Sequence, residues 1–144
     1  MSVERQHDRG VLDTNAVIGL PRMADAGVLP AEPTITAITL AELSVGPLVA
    51  PDAAERARRQ AHLQQAEADF EPLPFDDAAA RAFGQVASDL RASGRKRAAR
   101  AYDALIAATA ISNGLPLYTA NPADFEGITD LEIVVLPAAA TAPK

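Results

Sequence analysis

Val11-Leu12-Asp13-Thr14-Asn15-Ala16-Val17-Ile18 joins an apolar pair, a polar triplet rich in capping residues and a second apolar run. It describes a short buried strand that turns directly into a helix, with Asp13 or Asn15 able to satisfy the free amides of the first turn. Pro21 then keeps that helix short or bends it. Strands that alternate with helices in this way imply βαβ units and a mostly parallel sheet covered on both faces.

The rest of the chain repeats the theme. Thr34-Ile35-Thr36-Ala37-Ile38 alternates with the period of a strand, and Thr39-Leu40-Ala41-Glu42 reads as a capping box that opens the next helix. Pro51-Asp52 starts a polar-faced helix running to about Phe70, Leu73-Pro74-Phe75 is extended, and Asp76 and Asp77 cap a helix through about Leu90. Tyr102 through Ser112 is so rich in Ala, Leu and Ile that only a helix packed on most sides fits it, and Asn113-Gly114 stops it. Leu115–Thr119 and Leu131–Leu136 are the last strand candidates. The expected architecture is α/β, a three-layer α/β/α sandwich with a mostly parallel sheet of four or five strands. Residues 1–137 are expected to form one domain, with 138–144 a flexible tail.

With 144 residues, the chain has the length of one domain with a single substantial core. Hydrophobic residues make up 49% and charged residues 22%, which argues against disorder for all but the ends. Because the net charge is −6, attraction to a polyanion has to come from a local patch or a bound cation rather than from the whole molecule. The absence of cysteine excludes disulfides, thiol catalysis and thiolate metal sites. No run approaches the roughly 18 apolar residues of a membrane helix, and the polar N-terminal stretch has no signal-like core, so a cytoplasmic location is expected.

Four acids, Asp13, Glu42, Asp103 and Asp124, fall where strand patterns give way to turns or helix starts. At the carboxyl edge of a parallel sheet such residues can converge from distant parts of the chain. Each has a simpler reading taken alone. Asp13 could cap the following helix, Glu42 could complete the capping box, Asp103 could meet a helix dipole, and Asp124 could belong to Asn-Pro-x-Asp turn chemistry. As a set they are harder to dismiss, because two carboxylates about 4 Å apart repel by roughly 4 kcal/mol at an effective dielectric near 20. Protons or a cation must neutralise a shared pocket. Oxygen ligands alone favour Mg²⁺ or Mn²⁺ over Zn²⁺, and His7 and His62 read as surface residues.

The combination Leu12-Asp13-Thr14-Asn15, Ile38-Thr39-Leu40-Ala41-Glu42-Leu43, Tyr102 to Ala110 and Thr119-Ala120-Asn121-Pro122-Ala123-Asp124-Phe125 closely resembles PIN-domain ribonucleases. In particular it is similar to the toxin half of VapBC-type (type II) bacterial toxin–antitoxin modules, over nearly the whole chain and in the right order. The resemblance implies that Asp13, Glu42 and Asp103 bind metal with Asp124 as the fourth acid. Asn15, Thr119 and Asn121 match polar positions lining the same pocket. Ala120 departs from the pattern, standing where many relatives have a basic or other polar residue.

The activity implied by the resemblance is that of a Mg²⁺-dependent endoribonuclease, with Mn²⁺ as a possible substitute, that hydrolyses RNA phosphodiesters with a metal-activated water. The resemblance also implies a homodimer, held inactive by a cognate VapB-type antitoxin in the bacterial cytoplasm. Arg91, Arg95, Lys96, Arg97 and Arg100 precede Asp103 and could hold an RNA backbone, although a solvated charged loop would read the same way. The competing reading is a non-catalytic metal-binding signalling or interaction module with a receiver-like acidic edge. A receiver domain needs a lysine near its acceptor aspartate, and the only lysines are Lys96 and Lys144.

Overall fold

The first strand forms as β1 (Arg9–Leu12) and hands over at Asp13 to α1 (Thr14–Gly19), which passes into a 3-10 turn at Leu20–Arg22 where Pro21 sits. A computed structural model describes residues 7–22, 26–94 and 101–137. Further along are β2 (Glu32–Thr34), α2 (Ala37–Val45), α3 (Ala53–Asp69), α4 (Asp77–Ala92), α5 (Ala101–Ser112), β3 (Leu117–Thr119) and β4 (Ile133–Val135). The four strands make one parallel sheet in the order β2-β1-β3-β4. The chain leaves β1 toward one side to make β2, then returns through four helices to place β3 on the other side of β1. The topological switch therefore lies between β1 and β3, and the crevice beyond their carboxyl ends is the expected ligand site of such a sheet.

Alternation along the strands separates two cores. Val11 and Leu117 point to one face, where they meet Val86 and Leu90 of α4, Ile106, Ala107 and Ala110 of α5, and Phe125. Leu12, Tyr118 and Val134 point to the other, against Ala16 and Val17 of α1, Leu43 of α2 and Ala66 of α3. This is the expected α/β/α layering. The small residues of α5 let it lie close against α4 and bury Ala104 and the run from Ile106 to Ala110. Gly10 is required by close approach: a Cβ there would collide with the ring of Tyr118, whose Cδ1 would be 2.8 Å away. Among the described residues no helix is long and apolar enough to cross a membrane.

Several local expectations hold because they rest on local chemistry. Asp52 and Asp76 are the N-caps of α3 and α4, accepting from Glu55 N at 2.8 Å and Ala79 N at 3.0 Å. The strand expected over Thr34–Ile38 is displaced. Pairing with β1 ends at Thr34, and Thr36 caps α2 instead, its hydroxyl accepting from Thr39 N at 3.2 Å. Thr36 also bridges to Leu73, so its extended backbone satisfies a different partner. The capping box at Thr39 to Glu42 is accordingly not formed, because the helix has already begun and Glu42 lies in its second turn. Asp103 follows no strand among the described residues; it belongs to the first turn of α5, in the helical pair α4 and α5. The tail from residue 138 lies outside the described residues.

Candidate active site at the β1–β3 edge

Asp13 stands at the switch point and is 4% exposed. The capping reading of this residue is realised, and its second oxygen is held as well. Oδ1 accepts from Ala16 N at 2.8 Å and so caps α1, while Oδ2 accepts from Thr119 Oγ1 at 2.5 Å, a short charge-assisted bond from the end of β3. Thr119, itself fully buried, also accepts from Asn121 N at 2.9 Å, which turns the chain after β3. The parallel pairing of Leu12 with Tyr118 brings Asp13 and Thr119 together.

Glu42 arrives from α2. Its Oε1 accepts from Thr14 Oγ1 at 2.7 Å, and Thr14 Oγ1 lies 3.0 Å from Thr39 Oγ1. With the helix starting at Ala37, the capping explanation for Glu42 is gone, and the carboxylate instead lines a groove of about 940 Å³ together with Thr14, Asn15, Arg58, Arg59 and His62. Asn15 is exposed on this groove and Asn121 is exposed beside the β3 turn.

The electrostatics show how the acids relate. Burial pushes the Asp13 carboxyl above its ordinary value; the bonds from Thr119 and Ala16 pull it back, and the negative charge of Asp124 raises it further. Burial also raises Glu42, opposed by the Thr14 hydroxyl and reinforced by the charge of Asp13. Asp13, Glu42 and Asp124 therefore share one field. Asp124 is half-buried in the 3-10 turn Pro122–Phe125, and Asp103 is half-buried in the first turn of α5, which packs against both that turn and α2.

Among the described residues no three acidic or histidine side chains are grouped tightly enough to cage an ion. The donor set nevertheless suits a hard divalent cation. It consists of carboxylate and hydroxyl oxygens, two of the carboxylates are desolvated, and the charge of Asp124 raises Asp13 as that of Asp13 raises Glu42. Positive charge at this edge would relieve both penalties.

Sequence reasoning passed over Thr14 and Thr39 as site residues, together with the groove wall of Arg58, Arg59 and His62. In the sequence Thr14 stands out only as part of Asp13-Thr14-Asn15, and Thr39 has the pattern of a cap. Arg95, Lys96, Arg97 and Arg100, the expected RNA-binding run, lie outside the described residues. Ala120 is half-buried against the α1 and α3 side of the core, so a larger polar side chain at that position would have to leave this packing.

A parallel sheet with its switch point at a desolvated aspartate defines a class of acidic-edge α/β proteins, and comparison narrows it. The PIN domain family model matches residues 10–129, and the chain belongs to the PIN-domain family. It is 40% identical over 129 residues to Ribonuclease VapC5 of Mycobacterium tuberculosis, covering 87% of this chain and 93% of that protein. Among solved structures it is similar to VapBC-5 of Mycobacterium tuberculosis, a member of the VapBC family of toxin-antitoxin systems, with a TM-score of 0.76, 38% identity and coverage of 90% of this chain and 99% of that one. DNA-bound VapBC from Salmonella typhimurium gives a TM-score of 0.70 at 27% identity, covering 90% and 98%.

Proposed function

We infer that this protein is an endoribonuclease, the toxin of a toxin–antitoxin pair, acting at the edge formed by Asp13, Glu42, Asp103 and Asp124 with Mg²⁺, or Mn²⁺ in its place. The observation that carries this reading is Asp13: buried, doubly hydrogen-bonded, under the charge of Asp124, and placed at the switch point of a PIN-domain sheet. The 40% identity to a ribonuclease supports the substrate class.

A divalent cation held by these carboxylates would supply charge for the phosphate and activation for the attacking water. The chain's own residues do the rest. Thr119 and the Ala16 amide fix both oxygens of Asp13, so it cannot rotate away from the crevice. Thr14 fixes one oxygen of Glu42 at the groove. The open groove would admit a strand of RNA past Asn15 to Glu42, and no Ser, Cys or His nucleophile is called on.

Residues 1–137 form the catalytic unit in this reading, and the protein works in the bacterial cytoplasm as a homodimer. The similar solved structures are toxin–antitoxin complexes, which supports a VapB-type antitoxin as partner. A basic antitoxin side chain, Arg above all, set among the acids would satisfy them and exclude metal.

The test is to incubate antitoxin-free protein with total bacterial RNA and Mg²⁺, beside EDTA and Asp103→Asn controls, and to sequence the new 5′ ends. Discrete ends that vanish in both controls are expected. Ends that persist in EDTA, or no cleavage from folded protein, would overturn the reading.

A further inference from the structure

Two threonines outside the acidic set are joined to Glu42 by hydrogen bonds whose direction can be deduced. Thr14 Oγ1 donates to Glu42 Oε1 at 2.7 Å and is 3.0 Å from Thr39 Oγ1. A hydroxyl has one proton. Thr14 commits its proton to the carboxylate, so the bond between the threonines requires Thr39 to be its donor. The run is therefore Thr39 O–H to Thr14 O–H to Glu42 Oε1.

The run also has a rigid base. Thr39 is fully buried, its amide is held by the Thr36 hydroxyl at 3.2 Å, and it lies three residues before Glu42 on the same face of α2. Thr14 is the first residue of α1, adjacent in the chain to Asp13. The hydrogen bonds thus tie Glu42 on one helix to the residue beside Asp13 on another. They orient the carboxylate through Oε1, and Oε2 accepts no hydrogen bond among the described residues, so it is the freer oxygen for the groove that Glu42 lines.

We propose that Thr14, oriented by Thr39, is a positioning residue that aims Glu42 at the bound cation and sets its distance from Asp13. The inference rests on the metal-dependent reading above. A hydroxyl that merely glued α1 to α2 would affect stability alone; one that positions Glu42 governs cation affinity and turnover without touching RNA.

The experiment compares wild type, Thr14→Val, Thr14→Ser, Thr39→Val and Asp13→Asn. Mn²⁺ binding to RNA-free protein is followed by calorimetry, with cleavage kinetics and melting temperature alongside. Removing a hydrogen-bond partner that orients a metal ligand commonly costs about 10- to 100-fold in metal affinity or activity. Thr14→Val is expected to lose Mn²⁺ affinity and kcat within that range, with the KM for RNA unchanged, and Thr14→Ser to recover both. Thr39→Val should show a smaller loss of the same kind, and it carries the test if Thr14→Val does not fold. Unaltered Mn²⁺ binding in both valine variants, or losses that Thr14→Ser fails to recover, would overturn the proposal. Failure of wild type itself to bind Mn²⁺, with an isotherm matching that of Asp13→Asn, would instead overturn the metal reading on which the proposal rests.

Discussion

Asp13 and Asp89 are both hydrogen-bonded aspartates near a helix end, yet they titrate in opposite directions. Asp89, in the last turns of α4, accepts from Thr129 N at 3.0 Å, Thr129 Oγ1 at 2.9 Å and Gln85 Nε2 at 2.9 Å, and these donors hold its carboxyl below the ordinary value. Asp13 accepts two bonds, both of them shorter, and is nonetheless raised, because burial outweighs its donors. A carboxylate bonded in water needs nothing more. One buried beside other acids retains an unmet demand for positive charge. Asp89 therefore clips α4 to the turn before β4, while Asp13 is the acid to which the proposed function assigns a ligand.

The largest effect that would sharpen this contrast is Asp13→Asn. Metal-assisted stabilisation of transition-state charge is worth several kcal/mol, so cleavage should fall by about 1000-fold or more. Asparagine still caps α1, and removal of the desolvated charge offsets the loss of the bond from Thr119, so the metal-free variant should melt near the wild-type temperature. Mg²⁺ should raise the melting temperature of wild type and leave that of Asp13→Asn unchanged. A variant that loses stability as heavily as activity would make Asp13 a structural residue like Asp89.

Thr119→Val comes next. It keeps the shape of the side chain but withdraws the donor from a buried carboxylate, at a cost of about 1–3 kcal/mol in chemical denaturation at neutral pH. A cost near zero would mean that the bond to Asp13 does not hold the β1–β3 edge together.

The smallest effects are in pH dependence, and their signs are opposed. The folded pKa values of Asp13 and Glu42 lie above the ordinary 3.8 and 4.5. The folded protein then binds more protons than the unfolded chain in the window above those values, so metal-free stability should rise as pH is lowered from neutral into that window. Asp89 is depressed below 3.8. Its contribution is complete above that value and is lost as pH falls through the folded pKa. Melting temperatures of wild type, Asp13→Asn and Asp89→Asn against pH separate the two. Asp89→Asn should flatten only the acid limb, and Asp13→Asn should remove part of the gain at mildly acidic pH. The same sign in both variants would erase the comparison.

Legibility in the sequence followed the range of the interaction concerned. The caps Asp52 and Asp76 and the apolar span of α5 were readable because each depends on residues within a few positions. The strand over Thr34–Ile38 was misplaced because its alternation fits β pairing and a buried helix entry equally well, and the bridge from Thr36 to Leu73 settles it. Glu42 looked like half of a capping box for the same reason. Once α2 starts at Ala37, its carboxylate is free to meet Thr14, 28 positions away. Asp103 was expected after a strand, whereas α5 follows α4 and buries its apolar surface against it.

Local chemistry names the candidate acids, starts most helices at particular aspartates and makes the strands short, apolar and bound for a parallel sheet. Folding of the whole chain is needed to lay β1 beside β3, which sets Thr119 on Asp13 across 106 positions, and to join Thr39, Thr14 and Glu42 in one run of hydrogen bonds. Caps and periodicity are properties of neighbouring residues, but strand order and burial depend on the whole chain. Burial is also what sets Asp13 apart from an ordinary exposed helix cap, by raising its carboxyl above the usual value.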